Sequence, residues 1–245
     1  MIYRDLYDLE YEFYDEFYSD YTEDIEMFRR ILEKYCEKGG RILDLMCGTG
    51  RIMSHFLDYY EVWGVDINEK MLDIALRKFE SNENVKIVKM DALKLHLDVK
   101  FNAVIIGLNS LMLFPREDRK VLFQKIGEHL EKGGVFIADF WNYIDLEENV
   151  VYHGDTKEIG GRIVSRFFTI SREGERIKTL YFYDIVSDES VRRKCAEIIL
   201  YTIPLNTLRE DLKYGGMEIV EIYGDYDFSE YNESSPRVIF VAVKR

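Results

Sequence analysis

The chain has 245 residues, 47% of them hydrophobic, which suits one large α/β domain or a domain with a modest insertion. Lys and Arg total 33 against 46 Asp and Glu, a formal charge of −13, so the overall field repels a phosphate backbone and argues against a nucleic-acid partner. Cys36, Cys47 and Cys195 are odd in number and lack C-x-x-C spacing, and the histidines form no ligand pattern beside them; no metal site or disulfide framework is expected.

The first residues, Met1-Ile-Tyr-Arg-Asp-Leu-Tyr-Asp, carry neither a basic segment nor an apolar core and do not read as a secretory signal. No run of about 18 apolar residues is present to span a bilayer, so the expectation is a cytoplasmic protein with no membrane partner. Tyr7, Tyr11, Tyr14, Tyr18 and Tyr21 then recur at helical spacing, as one stripe, with Asp8, Glu10, Glu12, Asp15, Glu16 and Asp20 mostly on the opposite, solvated side. Such a stripe reads either as the buried face of an amphipathic helix or as a lid, because tyrosine joins a water-excluding ring to a hydroxyl that can reach a ligand.

Arg41-Ile-Leu-Asp-Leu-Met-Cys-Gly-Thr-Gly-Arg51, followed by Val62-Trp-Gly-Val-Asp66, reads as a strand, a glycine turn, a helix and a second strand ending in a carboxylate. Gly48 and Gly50 let the backbone approach a ligand, and the following helix is expected to offer free N–H groups there. Asp66 falls where the acidic residue of dinucleotide folds binds ribose hydroxyls. The third glycine of G-x-G-x-x-G is missing from Cys47-Gly-Thr-Gly-Arg-Ile-Met-Ser-His55, and no G-x-x-x-x-G-K-[ST] loop occurs, so a nucleoside site without a pyrophosphate cradle is indicated.

Strands are expected at Arg41–Leu45, Glu61–Val65, Val85–Lys89, Phe101–Ile106 and Val135–Phe140, alternating with helices as in a doubly wound, mostly parallel sheet. The helix Asn68–Phe79 takes Asn68 as its N-cap and packs Met71, Leu72, Ala75, Leu76 and Phe79 on the sheet. Gly133-Gly134 is expected to end the helix Arg116–Leu130. After Tyr143 the pattern changes to alternating runs, Arg162–Ile170, Thr179–Val186 and Lys194–Tyr201, with turns at Arg172–Glu175 and Ser187–Ser190. They form an antiparallel insertion, a natural cover for the mouth of the site, with edges open to pairing in a homodimer. Asn206–Gly216 reads as a capped helix, and Met217–Tyr223 and Val238–Lys244 as closing strands. The organisation is one domain, 1–245: a helical lid (1–38), a cofactor core (39–143), the insertion (152–203) and the closing segment (204–245).

Leu43-Asp-Leu-Met-Cys-Gly-Thr-Gly50 resembles the first motif of the class I S-adenosylmethionine-dependent methyltransferases. Asp66 and Met90-Asp91-Ala92-Leu93 occupy the places of the ribose-binding acid and the adenine-contacting D-A segment of that family. The likeness is greatest to small-molecule N-methyltransferases acting on amino sugars or on glycine and sarcosine. It includes Phe13–Tyr18, Leu130-Glu-Lys-Gly-Gly134, Tyr223–Phe228 and Ser235-Pro-Arg237. It implies a seven-stranded Rossmann-like fold, S-adenosyl-L-methionine as cofactor and a small-molecule acceptor. The implied cofactor contacts are Tyr14, Tyr18 and Tyr21 from the lid; Asp44, Met46, Cys47, Gly48, Thr49 and Gly50; Asp66, Ile67 and Met71; Asp91, Ala92 and Leu93; and Gly107 and Leu108.

Methyl transfer by in-line displacement needs positioning and water exclusion more than a strong acid or base, which agrees with the absence of a catalytic triad motif. The [DN]-P-P-[YFW] signature of nucleobase and glutamine methylation is missing. On the acceptor side the candidates are Asn109, Trp141 and Tyr183, with Asp139 and Asn142 lining the pocket and His153 a further proton acceptor. Leu111-Met-Leu113 stands where relatives often carry a histidine or tyrosine, a departure that bears on the amino-sugar substrate. Two other readings are aminopropyl transfer from decarboxylated cofactor and a non-catalytic cofactor-binding protein.

Overall fold

The computed structural model describes residues 2–3, 6–142, 147–188 and 190–245. In chain order its elements are β1 (Ile2–Tyr3), α1 (Tyr7–Glu10), α2 (Tyr14–Phe17), α3 (Glu23–Tyr35), β2 (Arg41–Leu45), β3 (Glu61–Asp66), α4 (Glu69–Lys78), β4 (Val85–Lys89), β5 (Phe101–Ile106), α5 (Arg116–His129), β6 (Leu130–Trp141), β7 (Tyr152–Ile159), β8 (Arg162–Glu173), β9 (Arg176–Ser187), β10 (Ser190–Tyr201), α6 (Leu205–Asp211), β11 (Met217–Tyr223) and β12 (Arg237–Lys244). They make two compact units, residues 1–21 with 145–202 and residues 22–144 with 203–245. Tyr143, where the pattern was expected to change, lies outside the described residues. No helix among the described residues is long and apolar enough to cross a membrane.

The larger unit is a seven-stranded sheet ordered β11-β12-β6-β5-β2-β3-β4. Strands β2 to β6 run parallel, and β12 runs antiparallel to both of its neighbours. Ile42, Ala103, Ile105, Val135, Ile137, Ile239 and Val241 share a core with Phe28 and Ile31 of α3 and with Leu72 and Ala75 of α4. The alternate residues face the other way, where Phe136 meets Phe123 of α5 and Phe240, with ring centroids 5.8 and 5.3 Å away. Cover on both faces explains why Val104–Ile106 and Val135–Ala138 are apolar without alternation.

Three local expectations are corrected in this unit. No α-helix follows the glycine turn: a 3-10 helix, Met53–His55, lies among turns, and His55 and Phe56 donate to Ile52 and Met53, three residues back. The short connection winds tightly while sinking Ile52, Met53, Phe56 and Tyr60 into the core. Gly133-Gly134 does not cap α5, because the helix stops at His129 and Leu130 already pairs with Phe101. The next pair is Ala103 with Val135, so Gly133, at φ +81°, absorbs the surplus chain as a bulge inside β6. Leu76 is 51% exposed, at the edge of the stripe that Met71, Leu72, Ala75 and Phe79 bury.

The smaller unit is a meander of β7 to β10, joined at β10 by β1 in parallel. Strands β8, β9 and β10 have 12 residues each, longer than expected, because charged ends such as Glu173 and Arg176 pair across the ladder. β7 was not foreseen; its Tyr152-His-Gly-Asp-Thr-Lys-Glu158 is too polar to signal a strand. Glu189, in the expected turn Ser187–Ser190, lies outside the described residues.

The tyrosine stripe is not one helix. α1 and α2 are separate four-residue helices, interrupted at Phe13, whose φ is −123°. Leu6, Leu9, Phe13 and Phe17 take the buried face and pack with Ile159, Val164, Tyr183, Ile185 and Ala196, while Tyr7, Tyr11, Tyr14, Tyr18 and Tyr21 are half-buried. Phenylalanine and leucine fill the dry side because a tyrosine hydroxyl placed there needs a partner. Glu10, expected on the solvated side, is buried.

Candidate functional site

Chain winding in the larger unit reverses between β2 and β5: from β2 the sheet proceeds through β3 to β4, and from β5 through β6. Ligands of such sheets bind in the crevice outside the carboxyl ends of the strands at this switch point. The segments bordering it are 46–50 after β2, 67–68 after β3, 90–93 after β4 and 107–109 after β5.

Met46 leaves β2 in the left-handed region, at φ +66°, and its N–H and that of Cys47 donate to Val65 O at 2.7 and 3.1 Å. Gly48 and Gly50 follow at φ +54° and +74°. A side chain at Gly50 would overlap the Phe79 ring, whereas Gly48 has nothing within 4 Å of where a Cβ would stand, so the turn is packed behind and open in front. Thr49 is buried. Asp66 accepts the Gly48 N–H and the Asn68 N–H, both at 2.8 Å, which locks its carboxylate against the turn. Beside it Ile67 is 64% exposed, an unusual place for an isoleucine, while Met71 is buried in the first turn of α4 and donates its N–H to Asn68 Oδ1. Met90 donates to Asp66 O at 2.9 Å, which brings Asp91, Ala92 and Leu93 alongside; Asp91 caps its own short turn by accepting the Leu93 N–H.

Asp44, at the end of β2, is 2% exposed, and its Oδ2 has no hydrogen-bond partner. Burial pushes its carboxyl up to about 7; Asp66 and Asp24 push the same way, and Arg51 and the Met53 N–H oppose them. Arg51 is itself committed to Asp24, a buried pair that links the turn to α3. Sequence reasoning missed this pair; Arg51 directly after the second glycine was the available signal.

Across the switch point Gly107 is buried, and a Cβ there would stand 2.5 Å from Ile52 Cδ1. Leu108 and Asn109 follow at φ +49° and +67°. Asn109 Oδ1 accepts the Trp141 N–H at 2.6 Å, so the asparagine joins the ends of β5 and β6. Asp139, fully buried, accepts the Leu108 N–H at 2.9 Å and the Tyr226 hydroxyl at 2.7 Å. Asn142 is tied to the chain before β12 through Ser235 O and Pro236 O.

Residues expected at the site also fall in the smaller unit. Tyr14, Tyr18 and Tyr21 form a ladder of rings with centroids 4.7 and 6.2 Å apart. Tyr183 is fully buried, donating its hydroxyl to Glu10 Oε1 at 2.8 Å. Burial and Glu10 both push its hydroxyl well up, which favours a donor over a proton acceptor. His153 is exposed and bonds Thr156. Glu10, Arg166 and Tyr18 complete a polar cluster that the sequence did not announce.

The family model for a methyltransferase domain matches residues 42–134, the span that holds the glycine turn, Asp66 and Asp91. Over 237 residues the chain is 27% identical to a putative methyltransferase, YqeM, of Bacillus subtilis (strain 168), covering 94% of each. Over 196 residues it is 24% identical to the dTDP-3-amino-3,4,6-trideoxy-alpha-D-glucopyranose N,N-dimethyltransferase of Streptomyces venezuelae, covering 78% of this chain and 81% of that one. The solved structure of the sugar N-methyltransferase KedS8 from Streptoalloteichus sp. ATCC 53650 superposes with a TM-score of 0.81 at 24% identity, over 99% of this chain and 94% of that one. Its matched span is folded around the glycine turn at the switch point; the chain is an S-adenosylmethionine-dependent methyltransferase, similar to the class I enzymes, and S-adenosylmethionine is its cofactor.

Proposed function

We propose that this methyltransferase acts on a small molecule, at an amine nitrogen. The observation that carries the reading is the likeness, over 78% of the chain, to an enzyme named for dimethylating the amine of a nucleotide-linked sugar. The formal charge of −13 agrees with it, since the surrounding field favours amines over anionic acceptors.

The residues at the switch point fit the cofactor. The orphaned Asp44 Oδ2 offers an acceptor for its ammonium group, Asp66 ends β3 beside the turn where a ribose would lie, and exposed Ile67 offers an apolar surface to the adenine. Met46 to Gly50, Met71, Asp91 to Leu93, Gly107 and Leu108 form the walls of that reading. When bound, S-adenosylmethionine supplies a methyl group on a positively charged sulfur, open to in-line attack by a nitrogen lone pair. Asn109 and Trp141 orient the acceptor side, held to each other by the bond from the Trp141 N–H to Asn109 Oδ1. Because an amine attacks only when neutral, the protein's remaining tasks are to exclude water and hold the lone pair in line.

The test is calorimetric titration with S-adenosylmethionine, S-adenosylhomocysteine and decarboxylated S-adenosylmethionine, followed by mass spectrometry of a panel of primary amines, amino sugars and hydroxylated analogues. Methylation of amines supports the reading. Methylation confined to the hydroxylated analogues would overturn it.

A further inference from the structure

The carboxylate of Asp139 has no part in the cofactor contacts above, yet both of its oxygens are tied beside the crevice. One oxygen accepts the Leu108 N–H at 2.9 Å; the other accepts the Tyr226 hydroxyl at 2.7 Å and lies 3.7 Å from Arg237 Nη1. Its own carbonyl takes the Asn109 N–H at 3.3 Å. The Arg237 guanidinium is set over the Tyr226 and Trp141 rings, 4.6 and 5.6 Å from their centroids, so the group behind Asp139 is itself fixed. The segment it holds contains consecutive non-glycine residues in the left-handed region, an arrangement that persists only where the surroundings over-determine it. That segment is the wall of the crevice on the β5 side of the switch point.

We propose that Asp139 is a positioning residue: its carboxylate, anchored from behind by Tyr226 and Arg237, fixes the left-handed turn Leu108-Asn109 that walls the methyl-transfer crevice. The inference rests on the methyltransferase reading of that crevice. The clamp depends on pH. Burial pushes the Asp139 carboxyl up to about 6, with Arg237 and the Tyr226 hydroxyl opposing and Asp24 of α3 adding to the rise; Asp24 is in turn paired with Arg51. Below that pH the charge-assisted bond to Leu108 becomes an ordinary one.

Amide hydrogen exchange, read residue by residue by NMR on the full chain with S-adenosylhomocysteine bound, tests this. After correction for intrinsic exchange, protection of the Leu108 amide should fall roughly tenfold between pH 7.5 and pH 5 in the wild type. In Asp139→Asn it should be low and flat across that range, because the amide carries no charge to lose. Tyr226→Phe should move the midpoint of the wild-type profile upward. Wild-type protection that does not change with pH, or an Asp139→Asn profile like the wild type, overturns the inference. Failure of the wild type to bind S-adenosylhomocysteine would instead overturn the cofactor reading.

Discussion

Asp44 should lower the stability of the cofactor-free protein at neutral and alkaline pH. Its folded carboxyl lies near about 7, above the ordinary 3.8, so folding favours the protonated form. Its contribution to stability is full below the ordinary value and is lost as pH rises through 7. Asp44→Asn should therefore stabilise the cofactor-free protein by about 2 kcal/mol at pH 8 and hardly at all at pH 4, as judged by thermal unfolding. The same substitution should weaken S-adenosylhomocysteine binding about tenfold, because the amide no longer offers a charge to the ligand's ammonium. Equal stabilisation at both pH values would remove ionisation as the cause. Asp66→Ala is expected to reduce affinity for the same ligand by well over tenfold in calorimetry (about 1.4 kcal/mol or more). It also releases the Gly48 and Asn68 N–H groups that shape the turn.

Among the elements, α1 and α2 are too short to be stable alone, and their order comes from the sheet beneath them. Arg166 donates to Glu10 at 2.8 Å and to Asp155 at 2.8 Å, with Glu10 almost wholly buried. Arg166→Met leaves that carboxylate without its cation, a loss of about 3–5 kcal/mol. Exchange of the amides in 7–17 should accelerate accordingly, and unchanged exchange there would show that apolar packing alone holds the helices. These helices also show where the sequence is legible and where it is not. Asn68 capping α4 and Gly48 and Gly50 in the turn were readable because their causes are local. The stripe of tyrosines misled because spacing reports which residues share a face, not which face is driest. Likewise Gly133 has the conformation of a helix cap, and only its partner strand reveals a bulge. The pairs Asp24 with Arg51 and Asp139 with Tyr226 join residues far apart in the chain and leave no periodic trace.

For the molecule as a whole, the formal charge of −13 makes a further difference measurable. S-adenosylmethionine carries one more positive charge than S-adenosylhomocysteine, so the protein's field should favour the former at low salt. Raising ionic strength from about 0.02 to 0.5 M shortens the screening length from roughly 20 Å to roughly 4 Å. The affinity ratio of the two ligands should then shift severalfold toward the homocysteine form. A constant ratio would confine the discrimination to groups in direct contact, such as Asp44.

Each unit takes its chain from stretches that the other interrupts. During synthesis α1 and α2 leave the ribosome well before β8 to β10, which supply their packing partners roughly 150 residues later; at about 5–20 residues per second that is a wait of about 8 to 30 s. The larger sheet is incomplete for longer still, because β12, which lies between β6 and β11, is made last of its strands. The nascent protein thus presents Phe13 and Phe17, and once β6 is made also its unpaired edge, to its surroundings or to whatever chaperone attends it. A ribosome stalled before β12 would release a chain unable to close its central sheet.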